Sequence, residues 1–165
     1  MIRVVVDDLA FIEVDAVVRP ADAVLGPVTP AGSRLDRLAG ERFAALRRVT
    51  TELEAGAAVV TGGGDLTAPF VLHVVIRDDR ADGGRETIRR ALMSAWQRAR
   101  DWGLRVVAAP PVGAGAGQLS LEEAATLLAE TFPRDGGAEH PAELCIVVER
   151  EDERETVEAI VRRLA

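Results

Sequence analysis

The stretch PPVGAGAGQLSLEEAA, residues 110–125, sets three alternating glycines directly before a helix-like segment. Glycines spaced in this way let the backbone turn several N–H groups inward and approach an anion closely. The same loop also serves as a plain tight turn, and its own chemistry does not choose between the two. The spacing is not G-x-G-x-x-G, and the loop comes late in the chain, which argues against a dinucleotide fingerprint. Glu122 and Glu123 already answer part of the dipole of the following helix, so an anion here would rest mainly on loop amides. A second segment, Arg19-Pro20-Ala21-Asp22, follows an apolar run and so stands where α/β sheets bind ligands, beyond the carboxyl end of a strand.

Other reactive side chains have bland surroundings. His73 lies mid-strand between Leu72 and Val74, as an interior histidine would, and His140 lies between Glu139 and Pro141 in an expected exposed loop. Cys145 sits in an apolar strand that offers no activating base. Two histidines and one cysteine in unrelated elements make a poor metal set, so no metal and no cofactor are expected. The chain has no lysine, asparagine or tyrosine. The absence of lysine excludes a P-loop and Schiff-base chemistry.

The 165 residues suit one domain, residues 1–165. One cysteine permits no internal disulfide, and no apolar run is long enough to cross a membrane, so a soluble cytoplasmic protein is expected. A net charge of -7 repels phosphate backbones on average, and duplex nucleic acid is not an expected partner. A small phosphate compound held by backbone amides remains compatible with that charge.

The elements that must position these groups follow from hydrophobic pattern. Strands are expected over residues 1–6, 15–18, 57–61, 70–76, 104–109 and 142–148, with a loop over 19–30 and a turn over 62–65. Helices are expected from Ser33, with Leu35, Leu38, Phe43 and Leu46 on one face, and over 85–102, with a stripe from Ile88 to Trp102. Ser120 and Glu123 form a capping-box pair for a third helix, and residues 152–164 form a fourth. The segment 78–84 reads as a polar loop, and the acidic run 149–155 as the solvated start of the last helix. Near-continuous apolar strands separated by helices imply a sheet covered on both faces, a three-layer α/β/α domain. The short step between the third and fourth strands implies some antiparallel pairing, and hence a mixed, mostly parallel sheet.

Three blocks together resemble the macrodomain family, the Appr-1"-p processing or ADP-ribose-binding family. Residues 8–18, DLAFIEVDAVV, resemble "GDIT-x-L-x-VDAIV", with Asp8 and Asp15 at the family's seven-residue spacing. Residues 61–73, TGGGDLTAPFVLH, resemble "T-x-G-x-L-PAKYVIH", and APPVGAGAGQ with LEEAA resembles "FPAIGTGVYG-x-P-LEEAA". The order and spacing of the blocks agree over nearly the whole chain. The resemblance implies a fold that binds ADP-ribose, in many members a hydrolase that removes ADP-ribose or acetyl groups from it. Asp8, with Leu9 beside it, would accept from the adenine amino group. Val112, Gly113, Ala114, Gly115, Ala116 and Gly117 would take the diphosphate and distal ribose, with Asp22, Thr29, Ala31 and Gly32 lining the far end.

The departures from the family pattern fall at that far end. The family's "NAAN" is here Arg19-Pro20-Ala21-Asp22, and Asp22 accepts hydrogen bonds but donates none. The family's "GGGV" loop becomes residues 26–32, GPVTPAG, in which Pro27 and Pro30 remove two amide donors. Gly117 stands where the family has an aromatic. Three readings follow, in this order: a module that binds ADP-ribose, free or on an ADP-ribosylated macromolecule; a scaffold that no longer binds nucleotide; and an ADP-ribosyl hydrolase or O-acetyl-ADP-ribose deacetylase with Asp22 as the base that positions water.

Overall fold

The computed structural model describes residues 1–79, 84–134 and 140–165. Six strands, β1 (Ile2–Val6), β2 (Ala16–Ala21), β3 (Ala58–Gly62), β4 (Phe70–Val75), β5 (Val106–Ala109) and β6 (Glu143–Val148), form one sheet in the order β1-β6-β5-β2-β4-β3. All neighbours run parallel except β3, which lies antiparallel to β4 at the edge. The mixed, mostly parallel sheet expected from the sequence is therefore present. The expected loop 78–84 lies largely outside the described residues.

Side chains alternate across the sheet, so each strand feeds two cores. Val18, Leu72, Val107, Leu144 and Ile146 meet the helices α2 (Arg85–Asp101), α3 (Leu121–Thr131) and α4 (Glu151–Leu164). Val17, Val71, Ala108, Cys145 and Val147 face the other way, toward Leu35, Ala39 and Phe43 of α1 (Pro30–Leu46) and the segment from Ala10 to Val14. Two helical layers thus enclose the sheet. The α2 stripe buries Ile88, Ala91, Leu92, Ala95, Trp96 and Ala99, whereas Trp102 is 55% exposed and rests edge-on against Phe70. Ser120 and Glu123 form the reciprocal capping box.

Two expected boundaries are corrected. β2 runs on through Arg19, Pro20 and Ala21, where the prolines suggested a loop. The proline is accommodated because β2 pairs with β5 only at Ala16 and Val17, so at Pro20 it has a ladder partner, β4, on one side alone. The first helix begins at Pro30 rather than Ser33, since Thr29 is its N-cap and accepts from the Gly32 amide at 2.9 Å. Leu38 and Leu46 are exposed, and α1, which kinks at Gly40 (φ 85°), buries Leu35, Ala39 and Phe43 instead.

The triple glycine at 62–64 serves that kink. A Cβ on Gly64 would stand 2.4 Å from the Ala39 carbonyl and 2.8 Å from Phe43 Cβ, so only glycine lets the turn dock there. The Asp65 amide then donates to the same carbonyl at 2.8 Å.

Candidate functional site

The sheet divides beyond Val17 and Ala108. From there β2 continues along β4 alone, while Ala109 still pairs with Ile146 of β6. A crevice outside the carboxyl ends of parallel strands is where α/β sheets receive ligands. Here it opens as a cleft of about 660 Å³, within the range of small-molecule sites. Val18, Arg19 and Pro20 come from β2, Val147 and Val148 from β6, and Pro110 and Pro111 from the chain leaving β5.

The glycine loop forms one wall. Gly113 has φ 99°, and a Cβ there would meet Ile88 Cδ1 at 2.8 Å. The amides of Gln118 and Leu119 both donate to the Gly113 carbonyl, which ties the loop into a closed turn. The amides of Ala114 and Gly117 also have partners inside the loop. Among the described residues, no acceptor is bonded to the N–H of Gly113, Gly115 or Ala116. Gly115 lies against Thr29, where a Cβ would come within 3.2 Å of Thr29 Cγ2. The glycine loop and the start of α1 therefore close on one another, and Thr29, Ala31 and Gly32 line the same cleft. Pro30, at the first helical position, removes one amide, whereas Ala31 keeps its own.

Asp8 and Arg34 stand on the β1 side. Asp8 Oδ1 accepts from the Ala10 amide at 3.0 Å and from Arg34 Nη1 at 3.0 Å, and Arg34 Nη2 lies 2.9 Å from Oδ2. The Arg34 hydrogen bond, helped by the Ala10 amide and opposed by burial, holds the Asp8 carboxyl below the usual carboxylate range. Asp7, Glu149 and Glu153 complete this end, and Glu153 accepts from the Glu149 and Arg150 amides to fix the start of α4.

Beneath the cleft lies a buried polar chain. The Arg19 side chain is fully buried and grips Asp36 of α1 through Nε to Oδ1 at 2.8 Å and Nη2 to Oδ2 at 2.7 Å. Planar two-point pairing of this kind suits a guanidinium, and the ion pair ties α1 to the central strand. Arg19 Nη1 also lies 3.2 Å from His73 Nδ1, and His73 Nε2 lies 2.8 Å from Thr61 Oγ1. Phe43 stacks on the imidazole. His73 is the interior histidine expected from its setting, with both ring nitrogens partnered. His140 is half-buried rather than exposed.

Of the residues singled out in the sequence, the cleft brings together Asp8, Leu9, Thr29, Ala31, Gly32, Gly113, Ala114 and Gly115. Val112 is buried in the core, Ala116 packs partly against that core, and Gly117 supplies a φ of 75° to the turn. Asp22 stands outside the lining. Its Oδ1 accepts from the Val24 amide at 3.0 Å and the Gly26 amide at 2.8 Å, which builds the turn after β2. Sequence reasoning missed Arg34, Leu35, Glu149 and Glu153. Only the strand ends on either side of them signalled that they would lie near a site.

A cleft of about 660 Å³, set where a parallel sheet divides between two helical layers, marks this as a three-layer α/β/α domain with a crevice at its strand ends. The family model "Macro domain" matches residues 23–128, and the chain belongs to the Macro domain family. An uncharacterized protein of Aeropyrum pernix is 30% identical over 144 residues, covering 81% of this chain and 75% of that protein. In an uncharacterized Thermotoga maritima protein, 30% identical over 150 residues, the chain spans only 24% of the length. Among solved structures, a mutant Oceanobacillus iheyensis macrodomain with ADPR superposes with a TM-score of 0.77 at 20% identity, over 98% of this chain and 91% of that one. A Trypanosoma brucei macrodomain in complex with ADP gives 0.83 at 24% identity, over 97% and 68%. The likeness to these structures shows the three-layer fold. No helix among the described residues is long and apolar enough to cross a membrane.

Proposed function

We infer that the cleft binds ADP-ribose or a related adenine diphosphate nucleotide, free or carried on a macromolecule, and that it binds rather than hydrolyses. The observation that carries this reading is the convergence, in one cleft, of open backbone donors and an ionised acceptor. The donors are the amides of Ala31, Gly113 and Gly115, suited to a diphosphate despite the chain's net negative charge. The acceptor is Asp8, kept charged by Arg34 and suited to an exocyclic amino group. The O. iheyensis and T. brucei structures with ADPR and ADP support the choice of ligand class. Binding is favoured over turnover because the carboxylate of Asp22 is bonded to two amides of its own turn.

Titration calorimetry with ADP-ribose, using ADP and AMP as controls, tests this. ADP-ribose should bind well above AMP, and Asp8→Ala should weaken it by about tenfold, the loss of one charged hydrogen bond. No heat from any of the three would overturn the reading and leave a domain that works through protein contacts. Unchanged affinity in Asp8→Ala would remove the role given to that carboxylate.

A further inference from the structure

We propose that Arg34 reads the base together with Asp8, so that the pair selects a 6-aminopurine over a 6-oxopurine. The proposal rests on the reading of the cleft as a nucleotide site. A carboxylate offers about four lone-pair positions. Oδ1 of Asp8 faces both the Ala10 amide and Arg34 Nη1, while Oδ2 meets only Arg34 Nη2, at 2.9 Å. One acceptor position on Oδ2 therefore stays open on a side chain that is 34% exposed. Directly beside it, Arg34 is half exposed and keeps most of its five N–H bonds available. The pair presents an acceptor next to a donor, held at fixed spacing by the ion pair itself.

An adenine edge carries the complement, an amino donor next to a ring-nitrogen acceptor. A hypoxanthine or guanine base reverses this arrangement, because its C6 oxygen accepts and its N1 donates. Placed in the same orientation, such a base sets oxygen against the Asp8 carboxylate and N–H against the guanidinium. Asp8 accepts from the amino group and repels a C6 oxygen, which is one point of discrimination. Arg34 adds the second point that makes the reading directional. The other lining arginine, Arg19, is buried and bonded to Asp36 and His73, so it does not substitute.

The test compares ADP-ribose with inosine diphosphate ribose, which differs only at the base, by calorimetry on wild type, Arg34→Met and Arg34→Lys. Thermal unfolding confirms that each variant is folded. Wild type should prefer ADP-ribose by about tenfold or more, the scale of a two-point base contact. Arg34→Met should reduce the preference several-fold, leaving only the part that Asp8 supplies, and Arg34→Lys, which keeps charge without the fork, should restore little of the difference. If wild type binds ADP-ribose but Arg34→Met keeps the same preference, this inference fails and the nucleotide reading stands. Equal weakening of both ligands in Arg34→Met would assign the guanidinium to the diphosphate and overturn base reading. Tighter binding in Arg34→Met would mean that Arg34 only blocks Asp8, with the same consequence. If wild type binds neither ligand, the nucleotide reading itself fails and carries this one with it.

Discussion

Arg19 and His73 stand opposite each other on paired strands, with Arg19 Nη1 3.2 Å from His73 Nδ1. Arginine can only donate, so Nδ1 of His73 is the acceptor and Nε2 carries the proton toward Thr61 Oγ1. Burial first, and then the charges of Arg19 and Arg47, push the His73 pKa from 6.5 down to about 3. The unfolded chain therefore takes up a proton that the folded chain refuses between these two values. Stability from this group is complete above pH 6.5 and is lost as pH falls toward about 3. Urea midpoints should decline between about pH 6.5 and 4.5, above the range where most carboxylates titrate. The decline should flatten in His73→Gln. An equal slope in both proteins would assign it to another group.

Asp36 answers two guanidiniums at once, Arg19 across two short contacts and Arg47 at 3.5 Å. Asp36→Asn leaves a fully buried positive charge without its counter-ion. The expected loss is about 3–5 kcal/mol in equilibrium urea unfolding. A loss within about 0.5 kcal/mol, as at an ordinary surface site, would show that Arg19 finds compensation elsewhere.

Gly64 and Gly117 both have positive φ, at 59° and 75°, but only Gly64 is crowded. Gly117→Ala should cost about 1–2 kcal/mol, the backbone strain alone. Gly64→Ala should cost clearly more, because its Cβ meets the Ala39 carbonyl and the Phe43 side chain. Comparable melting temperatures for the two variants would contradict this ranking.

Asp22→Ala should lower stability by about 1–2 kcal/mol through the loss of two side chain–backbone hydrogen bonds. ADP-ribose affinity should stay at the wild-type value. A variant of full stability with abolished affinity would return Asp22 to the site.

Local signals were legible wherever partners lie close in sequence. Ser120 and Glu123 cap their helix from three residues apart, the α2 stripe repeats within single turns, and the short link from β3 to β4 dictates an antiparallel pair. Long-range partnerships were hidden. Arg19 reads as a loop residue until Asp36 and His73 are placed around it, and Pro20 enters a strand only because β5 diverges there. The glycine loop was legible as a turn beyond a strand end, where Gly113, Ala114 and Gly115 line the cleft. The Asp8–Arg34 pair, drawn from the segment after β1 and the first turns of α1, was not.

The sheet order carries a consequence for dissecting the chain. The family match over residues 23–128 begins after β2 and ends before β6, so it includes neither of the strands that flank β5. A fragment cut at those borders would hold β5 with no neighbour on either side, and would lose Asp8 and Glu149 from the cleft. The stretch matched by the family model is thus smaller than the sheet it helps to build, and excision at its edges removes both strands that hydrogen-bond to β5.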